Sequence, residues 1–539
     1  METSALAGGW PQFQFRCVAG RTILAIMSAK LHNFGPFVFN SERFSLQCDG
    51  SPVVLRQHAL SLLGTLLEAQ GEVVDRADLI EAAWCGAVVE EANLTVQMGA
   101  LRKVLGTAPD GQDWIVTVPR RGYKLRIADL PTAGLPSNRS RRRWLAVLPF
   151  DNMNGDPQQE HLADGIVEDI TTALSRSKSI AVVARSSSFS YKGRNVDLRR
   201  LGAELGADYV LEGSLRCAGV QMRVTAQLID ATDGSHLWAR SFDTEATNEL
   251  GLHDEFAARL AFSLEQQIQR AEIQKAGTKR PDTLSPYELN MQATSLAWSD
   301  IRRNNAEAYA LFLRAIEIDP HYAQALSRAS QVLSLRRVWG WATLSEADQA
   351  TCLDLCWRAM AEAPDDGAVL AVCANSLIAI GRQYDLGLEV IANALAANPS
   401  HAGIRIQAGF AHLRCGSLEL SIEHFRYAIA MTNPGDLVLN GAHYGISEFH
   451  MATHNFAEAL RKAEQTVVLN KKHDCPYWVL ISANALLGRI DEAQRWLAVF
   501  RELSPDVTVA SLRLGHVFKF PERFQPILTG LKLAGLPES

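Results

Sequence analysis

The feature that most constrains this chain is a repeat in its C-terminal half. Predicted helix pairs end at Pro320, Pro364, Pro399, Pro434, Lys471 and Pro505, which are separated by 44, 35, 35, 37 and 34 residues. A period near 34 residues corresponds to one helix–turn–helix unit per repeat. Because a single unit cannot bury its own apolar face, successive units must stack on one another. Residues 285–539 are therefore predicted to form an all-helical array.

The composition is that of an ordinary globular protein. A chain of 539 residues is too long for one core, and roughly 150 residues per domain suggests about three or four domains. The formal net charge of −6 provides no general attraction to nucleic acid, so any such binding must come from a local basic surface. The nine cysteines are scattered without a C-x-x-C pair, which is typical of a reducing compartment. No apolar run reaches about 18 residues, so we expect a cytoplasmic protein with no membrane contact.

Cys352 and Cys356 lie four residues apart on a predicted helix. Two thiolates at this spacing could share a metal ion, but no second ligand pair is nearby in the sequence. We therefore favour buried packing for both thiols. The sequence predicts no catalytic residue, no metal site and no cofactor.

In the N-terminal part of the chain, the spacing of apolar residues changes from that of strands to that of helices and back. Residues 1–30 are interpreted as a disordered leader or a misassigned start, with Met27 as the alternative first residue. Residues 31–129 then contain a strand pair, three helices and a C-terminal hairpin in that order. Residues 130–143 form a linker rich in proline, serine and arginine. This order of elements predicts a winged helix, an α+β fold.

Two motifs within this segment resemble the OmpR/PhoB-type winged-helix family, and in particular its ToxR-like branch, which lacks a receiver domain. They are NLTVQ and ALRKVLG at residues 93–97 and 100–106 of the third helix, and TVPRRGY at residues 117–123 of the hairpin. The resemblance implies a sequence-specific transcription regulator that binds double-stranded DNA. With no receiver domain before the winged helix, any signal must arrive through the C-terminal half.

The third helix has the two faces that a recognition helix needs. Asn93 and Gln97 are four residues apart, and both side chains are able to form bidentate contacts with adenine in the major groove. Thr95, between them, is placed to meet a phosphate or a thymine methyl group.

Basic residues cluster at the end of this helix and on the hairpin. By resemblance, Arg102 and Lys103 are expected on the DNA backbone, while Arg120 and Arg121 are placed to enter a minor groove or to hold phosphates. Six bases and two acids lie between Arg102 and Arg126, whereas residues 68–91 contain seven acids and one base. Binding should therefore come from the surface of the third helix and the wing. Residues 85–89 are equally compatible with a contact to RNA polymerase, as in relatives, and with a plain exposed loop.

Residues 144–265 alternate between strand and helix patterns and predict a small α/β sandwich. They resemble the TolB-like module, through AVLPF at 146–150, ADGI at 163–166, VLEGS at 210–214 and TAQLID at 225–230. The resemblance implies association with tetratricopeptide repeats in bacterial regulators and class III adenylyl cyclases, and implies no activity. An acidic group is compatible with a metal or acid–base cluster, but nothing fixes its geometry and we favour solvated acids: Asp164, Glu168, Asp169 and Glu212.

The C-terminal array resembles a tetratricopeptide superhelix, with Ala308, Phe312 and Ala315 in its first unit and Ala493 and Leu497 in its last. This resemblance implies a protein or peptide partner. Three hypotheses follow for the whole chain. The first is a one-component DNA-binding regulator, and the second is a signalling scaffold that keeps an unused winged helix. The third is an enzyme, which we disfavour because G-x-x-x-x-G-K-[ST], H-E-x-x-H and G-x-S-x-G are all missing from the sequence.

Overall fold

The computed structural model describes most of the chain from residue 31 onward. The described residues are 31–34, 37–40, 45–48, 51–53, 55, 57–69, 73–84, 91–106, 113–118, 122–125, 142–194, 196–219, 221–245, 250–279, 283–299, 302–433, 436 and 438–539. The predicted leader, residues 1–30, lies outside them, as does all of the predicted linker except residues 142 and 143. The chain divides into two compact units, Met1–Leu135 and Pro136–Ser539.

The first unit is the predicted winged helix. Its elements are β1 (Leu31–Phe34), β2 (Phe37–Asn40), β3 (Ser45–Cys48), β4 (Ser51–Val53), α1 (Gln57–Glu68), β5 (Val74–Asp75), α2 (Arg76–Trp84), α3 (Glu91–Leu105), β6 (Ile115–Val118) and β7 (Gly122–Leu125). Strands β1 to β4 form an antiparallel sheet in chain order, and a second sheet has the order β5-β7-β6.

The core of this unit lies where the helices meet the first sheet. Helix α1 buries Leu63 and Leu66, which lie at helical spacing, and β2 buries Phe37 and Phe39. A Cβ atom at Gly64 would lie 3.3 Å from the ring of Phe39, so the glycine lets the helix approach the strand closely. The apolar periodicity of the sequence thus predicted the faces that pack.

The second unit begins with a sheet domain. Its elements are β8 (Arg143–Val147), β9 (Asp151–Asn152), α4 (Pro157–Ser175), β10 (Ile180–Val182), α5 (Arg185–Phe189), α6 (Leu198–Leu205), β11 (Tyr209–Ala218), β12 (Gln221–Asp230) and β13 (His236–Glu245). The strand order is β10-β8-β11-β12-β13, parallel across the first three strands and antiparallel across the last three. Strand β13 was not predicted from the sequence.

A 28-residue helix, α7 (Leu250–Gly277), connects the sheet to the array. Phe256 and Leu260 pack in the core of the sheet domain, whereas Ala258 and Phe262 pack against helices of the array. The predicted domain limit at residue 265 falls inside this helix. One helix therefore contributes to both cores.

The array follows as antiparallel helix pairs. Its helices are α8 (Pro286–Ser299), α9 (Asn305–Ile318), α10 (Ala323–Val338), α11 (Glu346–Glu362), α12 (Gly367–Ala379), α13 (Tyr384–Ala397), α14 (Ala402–Cys415), α15 (Leu418–Ala430), α16 (Leu439–Ala452), α17 (Phe456–Leu469), α18 (Cys475–Leu486), α19 (Ile490–Leu503), α20 (Val509–Gly515) and α21 (Gln525–Ala534).

Small residues allow the paired helices of the array to approach closely. A Cβ atom at Gly387 would lie 2.4 Å from Ile378, so the packing of α13 against α12 requires glycine at this position. Cys352 and Cys356 are fully buried, and both sulfur atoms lie against the Ser330 hydroxyl, at 3.3 and 2.8 Å. Across the described ranges, no helix is both long enough and apolar enough for a bilayer crossing.

Candidate nucleic-acid interface

Helix α3 presents two chemically distinct faces. The residues of one face are buried between the other elements of the winged helix: Leu94, Met98, Leu101 and Leu105. Their spacing of three and four residues forms one continuous stripe along the helix. This stripe fixes the rotation of α3 and therefore which side chains remain at the surface.

The other face exposes the predicted contact residues. Asn93 and Thr95 are exposed, and Gln97 is half-buried one helical turn after Asn93. Val96 is 64% exposed, which is unusual for a large apolar side chain. Val96 was not among the site residues predicted from the sequence, although its exposure follows from the same periodicity. An apolar side chain at this place is suited to contact with a thymine methyl group.

The surface next to these residues is open. A Cβ atom at Gly99 would meet no atom within 4 Å, and the neighbouring Ala100 is half-buried. No described atom therefore covers α3 at Gly99.

Arg102 makes contacts within the protein that the sequence analysis did not foresee. Its Nε and Nη2 atoms donate to the carbonyl oxygen of Ile115 at 3.0 and 2.9 Å, and Nη2 also donates to the Thr117 hydroxyl at 2.7 Å. The guanidinium lies 5.8 Å from the centre of the Tyr123 ring. Arg102 therefore holds the wing hairpin against α3. Its predicted place on the DNA backbone stays a prediction, as does that of the exposed Lys103.

The wing itself is an antiparallel hairpin. Strands β6 and β7 pair with Val118 opposite Gly122, so residues 119–121 join them. Arg120 and Arg121 belong to this connection and lie outside the described residues. A Cβ atom at Gly122 would lie 1.9 Å from the carbonyl oxygen of Val74, so only glycine permits the close pairing of β7 with β5.

Other contacts support the position of α3. The amide of Gly106, which has φ of +63°, donates to the carbonyl of Arg102 and ends the helix. Trp114 is buried edge-on against Phe37, with ring centres 6.4 Å apart. Residues 85–89, weighed as a polymerase contact, lie outside the described residues.

Two acidic side chains of the sheet domain, Asp164 and Glu168, lie beside basic side chains. The Lys192 ammonium lies 2.6 Å from Asp164, and Arg185 donates to Glu168 at 3.0 Å. No group of three His, Cys, Asp or Glu side chains in the described part of the chain is arranged to hold a metal ion.

Comparison with protein families defines the class of the first unit. Residues 50–125 match the family described as "Transcriptional regulatory protein, C terminal". Together with the geometry of α3 and the wing, this match makes the first unit a winged-helix domain of OmpR/PhoB type.

The sheet domain matches a more narrowly defined family of regulators. Residues 141–261 match the family described as "HilA/YgeH-like transcriptional regulator, second domain". Among curated proteins, the transcriptional regulator HilA of Salmonella typhimurium is 29% identical over 211 residues, covering 37% of this chain and 36% of HilA. The chain is thus similar to HilA-like regulators, and the family match locates this similarity in the sheet domain.

Two further relatives share parts of the chain. "Putative adenylate cyclase 3" of Rhizobium meliloti is 37% identical over 226 residues, covering 42% of this chain and 38% of that protein. The solved DNA-binding domain of Escherichia coli CadC is 29% identical and has a TM-score of 0.17, covering 18% of this chain and 90% of that domain. The matched regions span little more than a third of the HilA and cyclase relatives.

Proposed function

We propose that this protein is a one-component transcription regulator that binds double-stranded DNA through α3 and the wing. The observation that carries the proposal is the orientation of α3. Its apolar stripe is buried while Asn93, Thr95 and Val96 are exposed on the opposite side. A helix seated in this way is able to enter a major groove with its N-terminal half.

Base recognition is assigned to the exposed side of α3. Asn93 and Gln97 read adenine, and Thr95 contacts a phosphate or a thymine methyl group. Val96 adds an apolar contact to a thymine methyl. Each bidentate contact is worth about 1–3 kcal/mol of discrimination, so loss of one should weaken specific binding by about fivefold to 150-fold.

Phosphate binding is assigned to the basic end of α3 and to the wing, through Lys103, Arg120 and Arg121. Because the whole chain carries a net charge of −6, attraction to DNA must be confined to this surface. Each phosphate contact contributes about 0.9 to the slope of log K against log salt. Removing both wing arginines should therefore flatten the slope by about 1.8.

The test uses the full chain and a DNA site selected from genomic fragments. Binding is measured by fluorescence anisotropy at several salt concentrations for the wild type, for Asn93→Ala with Gln97→Ala, and for Arg120→Ala with Arg121→Ala. Gln525→Ala and Arg495→Ala, which change exposed residues of the array, serve as matched controls. Unchanged affinity and unchanged salt slope in both double variants, with the fold retained, would refute the proposal.

The second unit is assigned the roles of sensing and protein interaction, with an array-bound polypeptide as its partner. RNA polymerase is assigned as a partner of the first unit, the winged helix. We assign no catalytic role to the chain, although one relative is named a putative adenylate cyclase. Incubation of the purified protein with ATP and a divalent metal tests this assignment. Formation of cyclic AMP by the wild type would overturn it.

A further inference from the structure

The last helices of the chain are joined by a short extended segment that lies across the array. This segment, residues 516–520, connects α20 to α21, and we call it the strap. It runs past the C-terminal ends of α10, α12 and α14 and the turns that follow them, so it touches three consecutive repeats. The groove formed by these helix ends and turns is called here the turn groove.

The backbone of the strap is held as the backbone of a bound peptide would be. The Arg382 guanidinium donates to the carbonyl oxygen of His516 at 2.7 Å. The amide of Lys519 donates to the carbonyl oxygen of Arg414 at 2.8 Å. Both hydrogen bonds involve the main chain of the strap, so they do not depend on its side chains.

Two adjacent apolar side chains anchor the strap. Val517 is 3% exposed and lies in a cluster with Leu333, Leu344 and Ile380. Phe518 is buried in a neighbouring cluster, and its ring stacks on Phe524 with centres 5.7 Å apart. Val517 thus fills the apolar part of the turn groove, and Phe518 packs beside it against the segment that leads into α21.

The next residue of the strap adds a charge contact. The Lys519 ammonium lies 3.1 Å from the Asp385 carboxylate and 5.8 Å from the centre of the Tyr384 ring. Asp385 is almost fully exposed, so this pair contributes little affinity. It adds only a weak preference for a basic residue after the apolar pair.

The turn after α14 is shaped around the strap. Gly416 has φ of +100°, and a Cβ atom there would lie 2.5 Å from the ring of Phe520. The Gly416 carbonyl also accepts a hydrogen bond from Arg523 at 2.8 Å. Only glycine combines this backbone conformation with this close approach.

We propose that the turn groove is a binding site for an extended segment of a second protein, which the chain closes with its own residues 516–520. The partner segment carries two adjacent large apolar residues followed by lysine or arginine. It displaces the strap by making the same main-chain hydrogen bonds. The covalently attached strap acts as a competitor at millimolar effective concentration, so the site opens only to a partner that outcompetes it.

The first experiment measures binding of a labelled peptide with the sequence of residues 513–524 to the full-length protein. The wild type should bind it weakly, and Val517→Ser combined with Phe518→Ser should bind it at least about tenfold more tightly because the competitor is weakened. Leu533→Ser, which changes an exposed residue of α21, should leave binding unchanged. Adding Asp385→Lys should weaken binding by up to about fivefold, and a peptide with glutamate at the lysine position should restore it.

The results separate the alternatives. A strap variant that keeps its helical circular dichroism but binds the peptide no better than the wild type overturns the proposal. If that variant does not fold, hydrogen exchange on the wild type decides instead: excess peptide should accelerate exchange of the Lys519 amide, and an unchanged rate overturns the proposal. Light scattering tests whether a second copy of the chain occupies the groove. Wild-type dimers that are lost in the strap variant would identify that second copy as the occupant, and the proposal of a different protein as partner would then be wrong.

Discussion

Replacement of Arg102 tests whether this residue positions the wing or touches DNA. The side chain donates three hydrogen bonds, two to the Ile115 carbonyl and one to Thr117. Hydrogen bonds from a charged group are worth about 1.5–3 kcal/mol each when buried. Here the donors and the Thr117 hydroxyl are partly exposed and water replaces part of the loss, so we expect about 1–2 kcal/mol in total for Arg102→Ala.

The loss should appear locally, in the hairpin. Hydrogen exchange read by mass spectrometry on peptides that cover residues 113–125 reports opening of β6 and β7 in the intact chain. A change of about 1–2 kcal/mol corresponds to exchange faster by about fivefold to thirtyfold. Peptides from the array serve as the internal reference, since their protection should not change.

The comparison with Arg102→Lys decides between the two roles. Lysine keeps the charge but cannot reproduce the forked contact with Ile115 and Thr117. If Arg102 positions the wing, both variants should lose hairpin protection and DNA affinity alike. Lys103→Ala, the matched control, should flatten the salt slope by about 0.9 without changing exchange. Wild-type protection and near wild-type DNA binding in Arg102→Lys would refute the positioning role.

Three further predictions follow from individual residues. Gly122→Ala should disrupt the pairing of β5 with β7 and abolish DNA binding, because its Cβ atom would overlap the Val74 carbonyl oxygen. Gly99→Ala, the control, should leave the fold intact because no described atom lies within 4 Å of its Cβ position. A Gly122→Ala protein that folds and binds DNA would contradict this prediction. Binding of the wild type should weaken when thymine in the selected site is replaced by uracil. Val96→Ala should reduce that difference, and equal discrimination in both proteins would argue against a methyl contact by Val96. Acidification should loosen α7 from α14: burial opposes ionisation of Glu265, but interaction with His401 and hydrogen bonds from Ser179 and Ser177 lower the pKa of this carboxyl to about 2. Since the pKa of Glu265 in the folded protein lies below the ordinary 4.5, the contact contributes its full stability above pH 4.5 and loses it as the pH falls towards 2. Near-ultraviolet circular dichroism should detect this loss in the wild type but not in Glu265→Gln.

The parts of the fold that the sequence predicted are those with a local signal. The apolar stripe of α3, from Leu94 to Leu105, follows from helical spacing alone. The spacing of the array was likewise visible, because most repeats place their helix ends at regular intervals, as at Glu362 and Ala397. These features depend on neighbours within one or two turns of the chain.

The parts that the sequence did not predict depend on distant partners. Arg102 looked like a surface residue, and nothing in its neighbourhood indicates that its guanidinium would find the carbonyl of Ile115, thirteen residues away. Strand β13 is defined by pairing with β12, and its own alternation is interrupted by charges such as Arg240 and Asp243. The strap has no secondary-structure signal, since its contacts are with repeats more than a hundred residues away in sequence.

The continuity of α7 has a practical consequence for anyone dissecting this polypeptide. At about 1.5 Å per residue, its 28 residues reach about 42 Å. A cut near residue 265 would divide one helix and expose buried apolar side chains of α7 on both fragments. The boundary between Leu135 and Pro136 is therefore the place to divide the chain for expression. Because this one helix packs in both cores, we expect a displacement of the repeats to be transmitted through it to the strands.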